Sequence, residues 1–520
     1  MSYFHKFRFK LFLIFSLVFL GAGVQAQVIT LNSLDGSFSV SGELVEYSNE
    51  FYVVESQIGN LTVATKMVEC VGDGCPSLVP KYSEFTISGS RQLALGLMPI
   101  LLDGFSASLG LDIIHQSDES GNPQFLFTTI EGEDIAKISF SMRGSSKGLR
   151  DLLLNNAALA LTTRSARPSE VSAFSSAGLG NIRAPSNEKI LALDGIVVIT
   201  SNQNQVHDLK SADIPGIFSG QINSWAQLGS NERPINLYVR PENSATGALF
   251  SQLIMRPARA SFSPNVILMD SDAAVADAVA ADPDGIGFTS YSSSANVHPV
   301  SLRGVCDIQS PATDFTIQAE EYPYSRRFYL YKNTREVPPI VDLLVAYLAT
   351  SEAQTLIGQA GYVGQGVKEI PVNEQGLRFL SAALPTDAEM TLAQLNAMMQ
   401  DLASAERMTI TYRFEQGTAQ LDSRARADID RLLEDIMQPE FQNKKIILMG
   451  FTDSVGNGAN NERLSLARAE QVRTVLLQAA GGALAPEKIE VRGYGELSPL
   501  GCNEAVDGRR INRRVEVWVR

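Results

Sequence analysis

The chain has 520 residues, 44% apolar and 19% charged, an ordinary globular composition that excludes a disordered or low-complexity protein. Its formal charge is −14, or −17 once Lys6, Arg8 and Lys10 leave with a leader and 40 bases face 57 acids. That balance argues against nucleic acid and anionic membrane surfaces as partners, yet allows a small anion held by local dipoles.

Residues 1–26 read as a secretory signal. His5, Lys6, Arg8 and Lys10 form a basic start, Leu11 to Leu20 an apolar run, and Val24 and Ala26 the small side chains of a cleavage site. The run is too short for a comfortable span, and Gln27 rather than Cys follows the cut, so the mature chain is expected to be neither membrane-spanning nor lipid-anchored there. Export permits disulfides. Cys70 and Cys75 bracket a turn-forming Val-Gly-Asp-Gly and are the candidate local bridge, whereas Cys306 and Cys502 either pair across domains or stay free. No metal or cofactor is expected, because none of the four His lies near a cysteine pair.

The fold class predicted is α/β multidomain. Residues 27–80 read as a small β module, with alternating stretches at Ser37–Val40 and Phe51–Val54 separated by Asp35-Gly36, Ser48-Asn49 and Gly59-Asn60. Over 81–370, apolar strands such as Gly195–Ile199 alternate with helical segments, the pattern of a parallel sheet with crossover helices. A linker at 371–405 is expected to be partly helical, with Thr386 and Glu389 fitting a capping box ahead of Met390 to Leu402. Residues 406–520 predict strands at 409–414, 445–450, 489–493 and 514–519, and helices at 423–437 and 461–479. The last strand, with Val515, Val517 and Val519 against Glu516 and Trp518, reads as half-buried.

Leu464, Val472, Val475 and Ala479 define the expected buried face of the 461–479 helix, and Arg468 lies on it. An unpaired buried guanidinium is costly, so a carboxylate partner is expected, and Asp453 stands just past the preceding strand. The pair reads either as a structural salt bridge or as a grip on a zwitterion, the ligand carboxylate forked on Arg468 and its ammonium on Asp453. Further back, three loops of Gly with Ser or Thr each precede a helix. They hold Gly89 and Ser90, then Ser145 and Ser146, then Arg240, Ser244 and Thr246. Free N–H groups at helix starts, hydroxyls and one guanidinium can together cradle an oxyanion. The competing reading is that each hydroxyl caps its helix. No base or metal cluster accompanies Ser90 or Ser244, so no catalytic residue is predicted and the chain is not read as an enzyme.

Gly450-Phe451-Thr452-Asp453, Asn461, Leu464-Ser465, Ala467-Arg468-Ala469 and Asn512-Arg513-Arg514-Val515-Glu516 resemble the OmpA-like peptidoglycan-binding domain. Phe414-x-x-Gly417-x-Ala419-x-Leu421 resembles its opening strand and Gly493-Tyr494-Gly495-Glu496 its late loop. Phe451 stands where many members have His or Tyr. The resemblance implies an α/β sandwich that holds diaminopimelate of peptidoglycan through Asp453 and Arg468, with Thr452, Asn461 and Leu464 around them. It also implies a Gram-negative periplasm, close to the outer membrane. Gly89-Ser90, Leu193-Asp194-Gly195, Ile217 to Trp225, Arg240-x-x-x-Ser244-Ala245-Thr246 and, loosely, Ala360 to Val363 resemble the phosphate-binding branch of type II periplasmic solute-binding proteins. That implies two lobes closing on phosphate or a similar oxyanion, with an ABC permease as a possible partner. Two departures follow: Ala245 replaces a Gly, and the Asp that accepts the ligand proton falls at Ala158. The alternative is an envelope protein whose central domain holds no ligand or a different solute.

Overall fold

The computed structural model describes residues 28–33, 38–47, 51–56, 59–72, 74–75, 82–370, 391–403, 405–414, 421 and 423–520. The expected signal, the Thr386/Glu389 capping box, and Gly417 and Ala419 of the opening-strand motif lie outside them.

The chain forms two compact units, one up to residue 80 and one from residue 81 onward. In the first, β1 (Val28–Ser33), β2 (Ser39–Tyr47), β3 (Phe51–Ser56), β4 (Gly59–Ala64) and β5 (Val68–Val71) form an antiparallel sheet in the order β4-β3-β2-β1-β5. Alternation puts Ile29, Leu31, Tyr52 and Val54 on one small core. Cys70 and Cys75 form the expected local disulfide.

The second unit starts with a lobe built from β6 (Ser83–Gly89), β7 (Asp112–Ser117), β8 (Pro123–Thr128), β9 (Asp134–Ser141) and β10 (Leu159–Thr162). Helices α1 (Arg91–Gly96), α2 (Met98–Ser108) and α3 (Ser145–Leu153) accompany them. The long strand β11 (Glu188–Thr200) then carries the chain onward. A second lobe follows, with β12 (Asp208–Lys210), β13 (Asn236–Val239), α4 (Ala245–Phe250), β14 (Ile267–Leu268), α5 (Asp272–Ala281), β15 (Gly285–Ser290), β16 (His298–Pro299), β17 (Ser301–Arg303) and β18 (Gln309–Ser310). The chain returns along β19 (Ser325–Lys332). The first part of β11 pairs with β19, and its last five residues pair with β15. One sheet therefore runs through both lobes, in the order β14-β13-β15-β11-β19-β10-β6-β9-β8-β7. Two separate cores flank the crossing, one around Leu101, Phe105 and Phe127 and one around Val198, Phe218, Phe250 and Phe288. The sheet is mixed rather than parallel, because β19 returns antiparallel to both β10 and β11.

The C-terminal region is a five-stranded sheet in the order β20-β21-β24-β22-β23. Its strands are β20 (Glu369–Ile370), β21 (Glu406–Arg413), β22 (Ile446–Phe451), β23 (Ile489–Gly493) and β24 (Arg514–Val519). The helices are α6 (Leu392–Leu402), α7 (Ser423–Ile436), α8 (Gly458–Ala479) and α9 (Val506–Asn512). Residues of α7 and α8, among them Ile429, Leu432, Val472 and Leu476, share a core with one face of the sheet. Helix α6 covers the other face, where Met398 and Leu402 pack on Ile447, Met449 and Trp518. That cover corrects the half-buried reading of β24, which is buried along its whole length. The capping box of α6 is Thr391 with Gln394, whose side chains exchange hydrogen bonds with each other's backbone N–H. The buried face of α8 is Asn461, Ser465, Arg468, Ala469, Val472 and Leu476. Leu464 is 45% exposed, so the face lies one position off the expected one, although Arg468 stays on it. Cys306 of the second lobe is disulfide-bonded to Cys502 of this region, across 196 residues of sequence. Among the described residues, no single helix is long and apolar enough to cross a membrane.

Candidate functional site

At the C-terminal ends of β22 and β23 the sheet meets α8 without a spacer. A Cβ on Gly450 would stand 2.0 Å from the Ser465 carbonyl oxygen, so only glycine lets strand and helix approach this closely. Thr452 N–H donates to the Gly495 carbonyl at 2.7 Å, and Asn461 Nδ2 donates to the Asp453 and Val455 carbonyls and to Glu496 Oε1. Asn461 thus fixes the loop that presents Asp453.

Asp453 does not pair with Arg468. Its Oδ2 accepts from Arg513 Nη1 at 2.6 Å and its Oδ1 from the Val455 N–H at 3.2 Å. The reason is positional: Arg513 sits between α9 and β24, and β24 pairs with β22 up to the Phe451–Arg514 register. That pairing carries Arg513 to the Asp453 loop. Arg468 is 5% exposed, stacks its guanidinium 5.4 Å from the Phe414 ring centroid, and leaves Nε and Nη1 without a hydrogen-bond partner among the described residues. Burial lowers its pKa, Arg513 lowers it further, and Asp453 opposes both. Thr452 Oγ1 is buried and likewise has no hydrogen-bond partner among the described residues. The arrangement is a carboxylate already held by one guanidinium beside a second guanidinium with open donors. It suits a ligand that brings its own carboxylate to Arg468. Leu464 stands exposed on the outer side of α8.

In the central region the loops expected to hold an anion come together in two groups. Gly144 N–H donates to the Gly89 carbonyl at 2.7 Å, joining the first two loops at the C-terminal ends of β6 and β9. Gly89 has φ 137°, and a Cβ there would lie 2.1 Å from the Leu161 oxygen, so this turn requires glycine. Ser90 caps α1, Ser145 Oγ accepts from the Thr163 N–H at 3.1 Å, and Ser146 Oγ accepts from Arg164 Nη2 at 2.8 Å. Ser244 caps α4 through the Gly247 N–H at 3.0 Å. For Ser90 and Ser244 the capping reading describes what the side chains do, whereas Ser145 and Ser146 lie in the first turn of α3 and bind the 163–164 stretch instead.

Arg240 and Thr246 have an occupant the sequence reading missed. Asp272, first residue of α5, forms an ion pair with Arg240, whose Nε lies 3.0 Å from Oδ1, and accepts from Thr246 Oγ1 at 2.8 Å and Ser290 Oγ at 2.7 Å on Oδ2. Ser290 Oγ also accepts from Gln92 Nε2 at 2.9 Å, a bond from α1 of the first lobe, and from Arg326, which is paired with buried Asp194. One polar chain therefore spans the cleft from Gln92 to Arg240. The signal for Asp272 was local: Ser271-Asp272 opens a helix, and an acid there faces whatever the neighbouring loops present. Ala158 does not line the cleft. It sits just before β10, at the end of that strand away from Gly89, and belongs to the first lobe's core. Thr163, beside Ser145, is the residue of this stretch that reaches the loops.

Residues 116–353 match the PBP superfamily domain, and residues 413–513 match the OmpA family. The chain joins a PBP-like domain to an OmpA family domain. The PBP region is 21% identical over 233 residues to the phosphate-binding protein PstS of Borreliella burgdorferi, covering 44% of this chain and 80% of that protein. The OmpA region is 34% identical over 118 residues to outer membrane porin F of Pseudomonas aeruginosa, covering 23% of this chain and 33% of the porin. It is 39% identical over 74 residues to outer membrane protein A of Bordetella avium, covering 14% of this chain and 37% of that protein. The chain thus spans about a third of each outer-membrane relative it matches. Among solved structures, an ABC-type phosphate transport receptor from Vibrio cholerae aligns over 54% of this chain and 99% of its own, with 22% identity and a TM-score of 0.40.

Proposed function

We propose that the protein is a solute-binding protein of the Gram-negative periplasm, anchored to the cell wall. The OmpA domain grips peptidoglycan at Arg468, whose buried Nε–H and Nη1–H, unpartnered among the described residues, receive the carboxylate of a diaminopimelate centre while Asp453 takes its ammonium. The single observation that carries this reading is that open pair of donors on a buried guanidinium, a state that a ligand carboxylate relieves. The PBP domain takes phosphate or a similar oxyanion between its lobes, at the Gly89, Ser145 and Arg240 loops, without chemistry. The outer-membrane and phosphate-binding relatives support the two halves of the reading. The test is a sedimentation assay of full-length protein with purified peptidoglycan, in competition with a diaminopimelate-containing stem peptide. Binding that Asp453→Ala and Arg468→Ala both abolish supports the grip; binding indifferent to both substitutions removes it.

One observation favours a second reading of the PBP domain. Asp272 already pairs with the charge of Arg240 and takes the Thr246 hydroxyl, so an incoming oxyanion meets a resident carboxylate. On that reading the domain is a structural element, or takes a solute other than a bare anion, and no ABC permease is served. Isothermal titration with phosphate and with sulfate separates the two: saturable heat supports anion binding, and silence supports the second reading.

A further inference from the structure

We infer that the OmpA domain is a clamp on the hinge of the PBP domain, seated on the segments that cross between its two lobes and holding their relative angle. The crossings are visible in the backbone. Leu193 and Val363 exchange hydrogen bonds at 2.8 and 2.9 Å, and Ile196 N–H donates to the Tyr324 carbonyl at 3.1 Å. Tyr362 packs in the first lobe's core and its neighbour Val363 in the second's, so one lobe gives way to the other at these residues.

The OmpA domain touches the chain beside two of these crossings, before β19 and after Val363. Before β19, buried Glu320 receives Arg424 Nη1 at 3.1 Å and lies 3.8 Å from Arg413 Nε, while Glu321 pairs with fully buried Arg407. Arg413 Nη2 also donates to the Ala319 and Glu320 carbonyls at 2.8 and 2.9 Å. Just after Val363, Gln365 receives Arg431 Nη2 at 2.8 Å and donates to the Ile190 carbonyl of the first lobe at 2.9 Å. The Cys306–Cys502 disulfide adds a covalent tie to the second lobe.

These contacts differ from a tether in two ways. Their charges are out of water, so turning one lobe away would strand buried guanidiniums without partners, a cost that an exposed pair would not carry. Glu320 also has φ 54°, a left-handed conformation that a residue with a side chain keeps only where its surroundings over-determine it, and its carboxylate is held both by Arg327 of β19 and by Arg413 and Arg424 of the OmpA domain.

The inference needs no ligand and stands apart from the readings proposed above. Hydrogen–deuterium exchange on the full-length oxidised protein tests it at the backbone amides of Leu193, Ile196 and Val363. Two variants release the clamp by different routes: the double replacement C306S/C502S, and Glu321→Gln, which removes the carboxylate that pairs with Arg407. The expected result is at least tenfold faster exchange at the three amides in both variants, with the core amides of α2 and β15 unchanged. Unchanged exchange at the three amides in both variants overturns the inference. Equal acceleration throughout the PBP domain overturns it too, since that would report lost stability rather than a freed hinge.

Discussion

Replacing Arg468 by Met should make the protein more stable and unable to hold the wall. The structure sets both signs. Two buried N–H donors of this guanidinium have no acceptor among the described residues, and each unmet donor of this kind costs about 1–3 kcal/mol. Met keeps most of the stem's packing and forfeits only the contact of the guanidinium with Phe414, about 0.5–1 kcal/mol. The net expectation is a gain of about 1–5 kcal/mol in unfolding free energy. Binding moves the other way: two charge-assisted hydrogen bonds to a ligand carboxylate, at about 1.5–3 kcal/mol each, correspond to a loss of at least about 100-fold in affinity. Urea unfolding reads the first quantity through tryptophan fluorescence, since Trp225 and Trp518 are both buried. Sedimentation with peptidoglycan reads the second. A variant destabilised by more than about 1 kcal/mol would mean that Arg468 is an ordinary structural cation, and the reasoning from its open donors would be wrong. Undiminished wall binding would refute the assignment from the other side.

Asp272→Asn should raise phosphate affinity more than tenfold by titration, because it removes a like charge and releases Arg240; a fall in affinity would make Asp272 the residue that aims Arg240 instead. Asp435 is pushed up to about 6 by burial and then by Glu434 and Glu440. A carboxyl whose folded pKa lies above its unfolded value stabilises the fold at low pH and loses that contribution as pH rises through about 6. Asp435→Asn should therefore raise the melting temperature at pH 7 and leave it unchanged at pH 4, by less than about 1 kcal/mol for so accessible a group. Met398→Ala, at the centre of the α6 contact with Trp518, should cost about 2–5 kcal/mol in urea unfolding, whereas a cost near zero would mean that α6 lies loosely on the sheet.

Periodicity made much of this protein legible. The strands and helices expected in the last hundred or so residues lie within a few positions of their expected bounds, because period-two and helical patterns depend on local sequence, whereas the short helix α9 was not expected. Arg468 was legible as a buried cation for the same reason. Its partner was not, because Arg513 reaches Asp453 through the pairing of β24 with β22, and pairing is a long-range property. Strand β21 shows a harder limit. Arg407, Thr409, Thr411 and Arg413 alternate along it as a polar face, yet all four are buried. Sequence periodicity separates two faces of a strand and cannot say whether the polar one meets water or another domain's carboxylates. Trp518 and Glu516 misled for the complementary reason: their cover, α6, comes from a segment read as linker.

The two disulfides also bear on how the chain reaches its fold. Cys70 and Cys75 are five residues apart and first in sequence, so an oxidant meeting the chain N-terminus first can close them before any other thiol emerges. Cys306 then finds no free thiol until Cys502 arrives, 196 residues later. With four cysteines in all, pairing in order of appearance yields only the native set, and scrambled isomers need no later editing. The last bond to close is the one that joins the OmpA domain to the second lobe, so it can form only after the whole PBP domain has emerged.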